Sequence, residues 1–175
     1  ADRLLELGPD DREAMLAQVA LQRAASEREA ALEAARRLAA AHPNDREARA
    51  LVVGLMIETR HDPDSIAEAA AAAAEALDDP LEGAILEASA LLELGRPGEA
   101  LDRIERAGVS GIDDADRLSR TVRLLDAAAG APELAERAEA LVAEALAGHE
   151  AGIEAETYRL ARAWRRPNPS QIGAA

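Results

Sequence analysis

A chain of 175 residues suits one domain or one segment of a longer array. Its formal charge of −14, with all twenty basic residues arginine, disfavours nucleic-acid phosphates as a partner outside a local basic stripe. The lack of cysteine excludes disulfides and thiolate metal sites, and no run of 18 apolar residues offers a membrane span.

The first elements are marked by helix punctuation. Residues 1–8 read as the tail of a preceding helix, stopped by Gly8-Pro9, in a chain that begins without methionine. Pro9-Asp10-Asp11-Arg12-Glu13-Ala14 then returns 34 residues later as Pro43-Asn44-Asp45-Arg46-Glu47-Ala48. Asp10 with Glu13 three residues on makes a capping-box-like start for a helix to about Ala25. A second helix is expected over 27–41 and a third over 46–59, after His42-Pro43-Asn44-Asp45. Asp62-Pro63 places an N-cap acid before a proline at the first helical position, and an alanine-rich helix runs on to Leu77.

Asp78-Asp79-Pro80 repeats that punctuation. A helix over 81–94, the turn Gly95-Arg96-Pro97-Gly98 and a helix over 99–107 form the clearest helical hairpin. A glycine-rich link over 108–111 precedes a helix from Asp113-Asp114 to about Ala129. Gly130-Ala131-Pro132 turns the chain into a helix over 133–147. Ile153, Thr157, Leu160, Ala161 and Trp164 form an apolar stripe at helical spacing, so residues 148–166 read as a C-terminal capping helix and 167–175 as a mobile tail.

Hydrophobic residues make up 49% of the chain but aromatics only 1%, so the core must be built from leucine and alanine. Alanine is the strongest helix former and β-branched residues are scarce, which predicts an all-α fold. The repeated units predict stacking, because a single hairpin is too thin to bury its own apolar face. Acids precede arginines by four residues in Glu33/Arg37, Glu99/Arg103, Asp102/Arg106, Asp116/Arg120 and Glu133/Arg137, which predicts helix-internal ion pairs.

From Ala84 to Ala107 the residues resemble a tetratricopeptide repeat. Ala88 fits the small residue of the first helix, Leu91 the large one after it, and Gly95 the turn. Ala100, Leu101, Ile104 and Ala107 fit the packing positions of the second helix. The segment Leu5-Glu6-Leu7-Gly8-Pro9-Asp10-Asp11 is similar to a junction between two such repeats. The motif's aromatics are absent and the second unit is longer than the first. The resemblance implies a right-handed α-solenoid of antiparallel helix hairpins, a tetratricopeptide-like superhelix with four units at 9–42, 43–79, 80–112 and 113–147.

Few residues invite chemistry. Glu58-Thr59-Arg60-His61 has a metal-ligand spacing but occurs once, with His61 at a turn; His42 and His149 share no pattern with it. The pairs Asp10-Asp11, Asp78-Asp79 and Asp113-Asp114 lack the alternating spacing of a calcium loop and read as helix caps. No serine or threonine stands in a nucleophile elbow, and residues 108–111 lack the Gly-Lys-Ser/Thr of a phosphate loop. Arg117, Arg120 and Arg123, and Arg159, Arg162, Arg165 and Arg166, are the densest basic groups and read as solvated or paired. The expectation is a non-enzymatic scaffold with no cofactor or metal. The missing lysines fit the coding bias of a GC-rich bacterial genome, and the sequence leaves cytoplasm and periplasm both open.

In the resembled family the first helix of each hairpin lines a concave groove for a partner peptide or helix. Carried over, the candidates are Glu13, Leu16 and Arg23; Glu47, Ala50 and Ile57; Glu82, Ile85, Ser89 and Leu92; and Arg117, Arg120 and Leu124. The acidity of the chain favours a partner protein with a basic or mixed-charge segment. Two other readings stay open: a regulatory or sensory module of a larger protein, and a scaffold that self-associates through its C-terminal helix.

Overall fold

The computed structural model describes residues 11–147, which form eight α-helices, one 3-10 turn and, among the described residues, no strand. The helices are α1 (Arg12–Ala24), α2 (Arg28–Ala41), α3 (Arg46–Glu58), α4 (Pro63–Glu75), α5 (Pro80–Glu93), α6 (Pro97–Ala107), α7 (Ala115–Ala128) and α8 (Ala135–Leu146). The expected preceding helix over 1–8, the capping helix over 148–166 and the tail over 167–175 lie outside the described residues, as does His149.

Aspartates set most of the helix starts. Asp11, Asp45 and Asp79 each accept two first-turn N–H groups, at 2.9 and 3.1, 2.9 and 3.3, and 3.0 and 3.2 Å. Asp62 accepts from Ser65 at 3.1 Å and Asp114 from Arg117 at 2.7 Å. Such a cap stabilises a helix by about 1 kcal/mol. The cap of α1 is Asp11 and not the expected Asp10, so in both copies of the hexapeptide the third residue is the one that caps. The expected helix at Glu133 starts at Ala135, because Pro132–Leu134 first winds as a 3-10 turn with no side-chain cap.

The helix ends carry a period of their own. Ser26, Arg60 and Gly95 adopt positive φ of 64°, 57° and 71° just after α1, α3 and α5. The next N–H in each case reaches back five residues: Glu27 to Gln22 at 2.9 Å, His61 to Met56 at 3.0 Å and Arg96 to Leu91 at 2.8 Å. This is a Schellman ending, which satisfies carbonyls that the helix leaves open.

Consecutive helices pack against one another along the whole series. Their apolar faces form two cores. One gathers Val19, Leu32, Val53, Leu55 and Ile66 from α1 to α4 with Leu86 and Ala90 of α5. The other joins Leu81, Ile85 and Leu91 of α5 to Leu101 and Ile104 of α6, Leu118 and Leu125 of α7, and Leu141 and Leu146 of α8. Gly83 makes the α4–α5 contact possible, since a Cβ there would lie 2.7 Å from the Ala74 carbonyl oxygen. The link over 108–111 is more than a spacer: Val109 within it and Ile112 just after it are both buried in the second core.

Charged side chains tie helices that lie two apart in the chain. Arg12 bonds Asp45 and Glu47, and Arg23 bonds Glu58, so α1 and α3 lie side by side, start to start and end to end. Asn44 donates to Asp78 at 2.8 Å, and Arg137 reaches from α8 to Asp102 at 2.7 Å and to Glu105 of α6. This redirects most of the expected helix-internal pairs. Asp116–Arg120 forms at 3.0 Å, but Glu33 pairs with Arg36, Glu99 with Arg96, and Arg103 with Glu87. The first two pairs stay local at a spacing of three, whereas Arg103 and Arg137 turn to carboxylates on a neighbouring helix. The Glu87 carboxylate is largely shielded from water, where an ion pair is stronger than on an open surface.

Candidate partner-binding groove

The exposed face of α3 is unusually bare. Ala50 and Gly54 lie one turn apart on it, with Ile57 a turn further. On the α5 side this face borders a cleft of about 240 Å³ closed by Leu86, Ser89, Ala90 and Glu93. On the α1 side it borders a second cleft of about 230 Å³ that Arg23, Glu47, Leu51 and Glu58 help to close. Ala50 and Gly54 belong to both, so they form the shared ridge between the clefts.

Gly54 has no packing reason to be glycine. A Cβ built there meets nothing within 4 Å, unlike Gly83. Glycine in a helix interior costs about 0.5–1 kcal/mol relative to alanine. The surface at Gly54 is therefore left open at the expense of helix stability.

The cleft between α3 and α5 is polarised along its length. Arg46 stands at the end where both helices begin, and Glu93 at the end where α5 finishes. The helix dipoles add to the same sense, positive at the starts and negative at the ends. Glu93 has no ion-pair partner among the described residues.

Beyond the Arg46 end the candidates Glu82, Arg117 and Arg120 meet in one ion cluster. Arg120 holds both oxygens of Glu82 at 2.9 and 2.8 Å, Arg117 adds a bond at 3.0 Å, and Arg46 stands at 3.4 Å. Arg117 also reaches Asp79 at 2.9 Å. The bond from Arg120 holds the Glu82 carboxyl below the usual carboxylate range, against the opposing effect of its burial. These charges satisfy one another, which removes Arg117 and Arg120 from any free basic stripe.

The other candidates divide. Arg23, Glu47 and Ala50 line the α1-side cleft, and Ala50, Ile57 and Ser89 the α5-side cleft. Ile85 lies in the core at 4% exposure, while Leu92 and Leu124 are half-buried against the second core. Glu13 is exposed and Leu16 half-buried, and neither lines these two clefts. Of the α5-side lining, sequence reasoning missed Arg46, Val53, Gly54, Leu86, Ala90 and Glu93. The lining of α5 follows Leu86, Ser89 and Glu93, one residue out of phase with the expected Ile85 and Leu92. Helix α5 is apolar on two sides, so its pattern alone does not say which side is open.

Among the described residues no group of three or more histidines or acids is placed to hold a metal ion, and no helix is long and apolar enough to cross a membrane. His61 instead shares a 2.8 Å hydrogen bond with the Thr59 hydroxyl at the end of α3. No family model, curated protein or solved structure matches the chain.

Proposed function

We propose that this chain is a tetratricopeptide-like array, a right-handed α-solenoid of antiparallel hairpins, acting as a non-enzymatic scaffold. It binds a peptide or helix of a partner protein on the face formed by α1, α3 and α5. The observation that carries this reading is the bare Ala50–Gly54 ridge between two clefts. Glycine at such a point suits close approach by another backbone. The side-by-side placement of α1 with α3, through Arg12 and Arg23, supports the repeat reading. With Arg46 at one end and Glu93 at the other, the groove favours a mixed-charge segment over a purely basic one.

The test is selection of displayed peptides on the wild-type chain with counter-selection on Gly54→Leu, which fills the ridge. Enriched peptides that bind wild type at least tenfold tighter than the variant support the groove. Peptides that bind both proteins equally, or no enrichment with the variant folded by circular dichroism, overturn it.

A further inference from the structure

The same groove has an occupant within the protein's own sequence. We infer that the α3–α5 cleft receives residues 150–166 of a second copy of this chain, which joins copies head to tail. This rests on the reading of the cleft as a partner groove.

Charge complementarity carries the assignment. Glu150, Glu154 and Glu156 fill the first part of the segment, and Arg159, Arg162, Arg165 and Arg166 the second. The cleft offers Arg46, which also faces Glu82 at 3.4 Å, at one end and Glu93, with no ion-pair partner among the described residues, at the other. From Arg46 to Ile57 the floor of α3 runs about 16 Å at 1.5 Å per residue, and from Glu154 to Arg162 a helical spacing covers about 12 Å. Acid half to Arg46 and arginine half to Glu93 therefore match in order, and the span between the charges fits within the cleft. The apolar side chains Ile153, Leu160 and Trp164 recur at helical spacing between the charges, and small Ala50 and Gly54 leave room for them. Opposite order would set glutamates against Glu93 and arginines against Arg46, so the charges also fix direction.

Reach assigns the segment to another copy. Helix α8 packs on α7, and α7 packs on α5, before the cleft is met. Two helix spacings come to about 16–20 Å. From Ala147 at the end of α8, three residues to Glu150 extend about 10 Å. Each copy thus presents one cleft and one segment that differ from each other, a heterologous contact that grows into chains or closes into rings.

Trp164 is the sole tryptophan and reports the contact directly. The intact chain is followed over a concentration series by light scattering and tryptophan emission. The expected result is rising mass together with a blue shift of emission. Gly54→Leu, and separately Glu93→Arg, should raise the midpoint concentration at least tenfold, and Arg162→Glu should restore association to Glu93→Arg. A chain that stays monomeric throughout overturns the inference. Association or a blue shift that Gly54→Leu and Glu93→Arg leave unchanged, with both variants folded by circular dichroism, also overturns it. If displayed peptides still require an open Gly54 in either case, the groove stands and only this occupant is lost.

Discussion

Arg120 forks across both oxygens of Glu82, at 2.9 and 2.8 Å, and so joins α7 to α5 over 38 positions of sequence. A guanidinium matches a carboxylate in this two-point geometry as an ammonium cannot. The side chains are only 19% and 13% exposed, which places the pair between an open surface bridge and a buried one.

Glu82→Gln should therefore lower stability at neutral pH by about 1–3 kcal/mol, because three arginines lose their shared carboxylate. The pH dependence has a definite sign. Glu82 and Asp45 are both held below the ordinary carboxylate range by bonded arginines. Their contribution is fully present above the unfolded value of about 4 and is lost as pH falls through the lower folded values. Melting temperatures recorded from pH 7 down to pH 2 should fall less steeply for Glu82→Gln than for wild type. Parallel curves would remove Glu82 from the account.

Glu87 should behave in the opposite way. It is 7% exposed within α5, and burial raises its carboxyl above the ordinary range despite Arg103 at 2.9 Å. Its favourable contribution is present below the unfolded value of about 4 and is lost as pH rises through the folded one. Glu87→Gln keeps an acceptor for Arg103 and removes the buried charge. We expect a gain of about 1 kcal/mol at pH 7, on the scale of a modest desolvation penalty. The gain should vanish near pH 4 in urea titrations; a loss at pH 7 would show that the ion pair outweighs its burial.

Ser26→Gly and Arg60→Gly should each stabilise the chain. Both residues hold the left-handed conformation that α5 meets with Gly95. A side chain there costs about 1–2 kcal/mol, part of which the freer unfolded glycine takes back. Higher urea midpoints for both variants, with a lower one for Gly95→Ala, are expected. No change in Ser26→Gly would mean that its backbone relaxes without strain.

Two helix glycines should respond with opposite signs. Gly83→Ala drives a Cβ into the Ala74 carbonyl at 2.7 Å and should cost about 1–3 kcal/mol as the α4–α5 contact opens. Gly54→Ala meets open space and should gain about 0.5–1 kcal/mol from helix propensity alone. Thermal melts of the two variants decide the matter. A destabilised Gly54→Ala would place an unseen steric demand at the ridge.

The sequence made the helices legible because capping acids and turn prolines mark their ends locally. Asp62-Pro63 and Asp79-Pro80 each begin a helix where their chemistry says one should begin. The period was harder to follow past the second unit. Its structural marker is a left-handed residue, and only Gly95 among Ser26, Arg60 and Gly95 advertises that conformation. Ion pairing was misread for a related reason. Arg137 has Glu133 four residues before it, but the partners it takes sit on α6, and sequence spacing carries no record of a neighbouring helix. The cleft lining was partly legible on α3, where the expected Ala50 and Ile57 line it but Gly54 between them was not singled out. On α5 only Ser89 of the expected residues lines it, because two apolar flanks made the open side ambiguous.

That double flank has a thermodynamic consequence. Stacked units can melt one at a time when each leans only on its neighbour. Here α5 gives Leu86 and Ala90 to one core and Leu81, Ile85 and Leu91 to the other. Neither half can loosen without baring a side of the same helix, so the eight described helices should lose their structure in a single cooperative step. An occupant gripping α5 at the cleft would then slow the opening of α8 as well as that of α1.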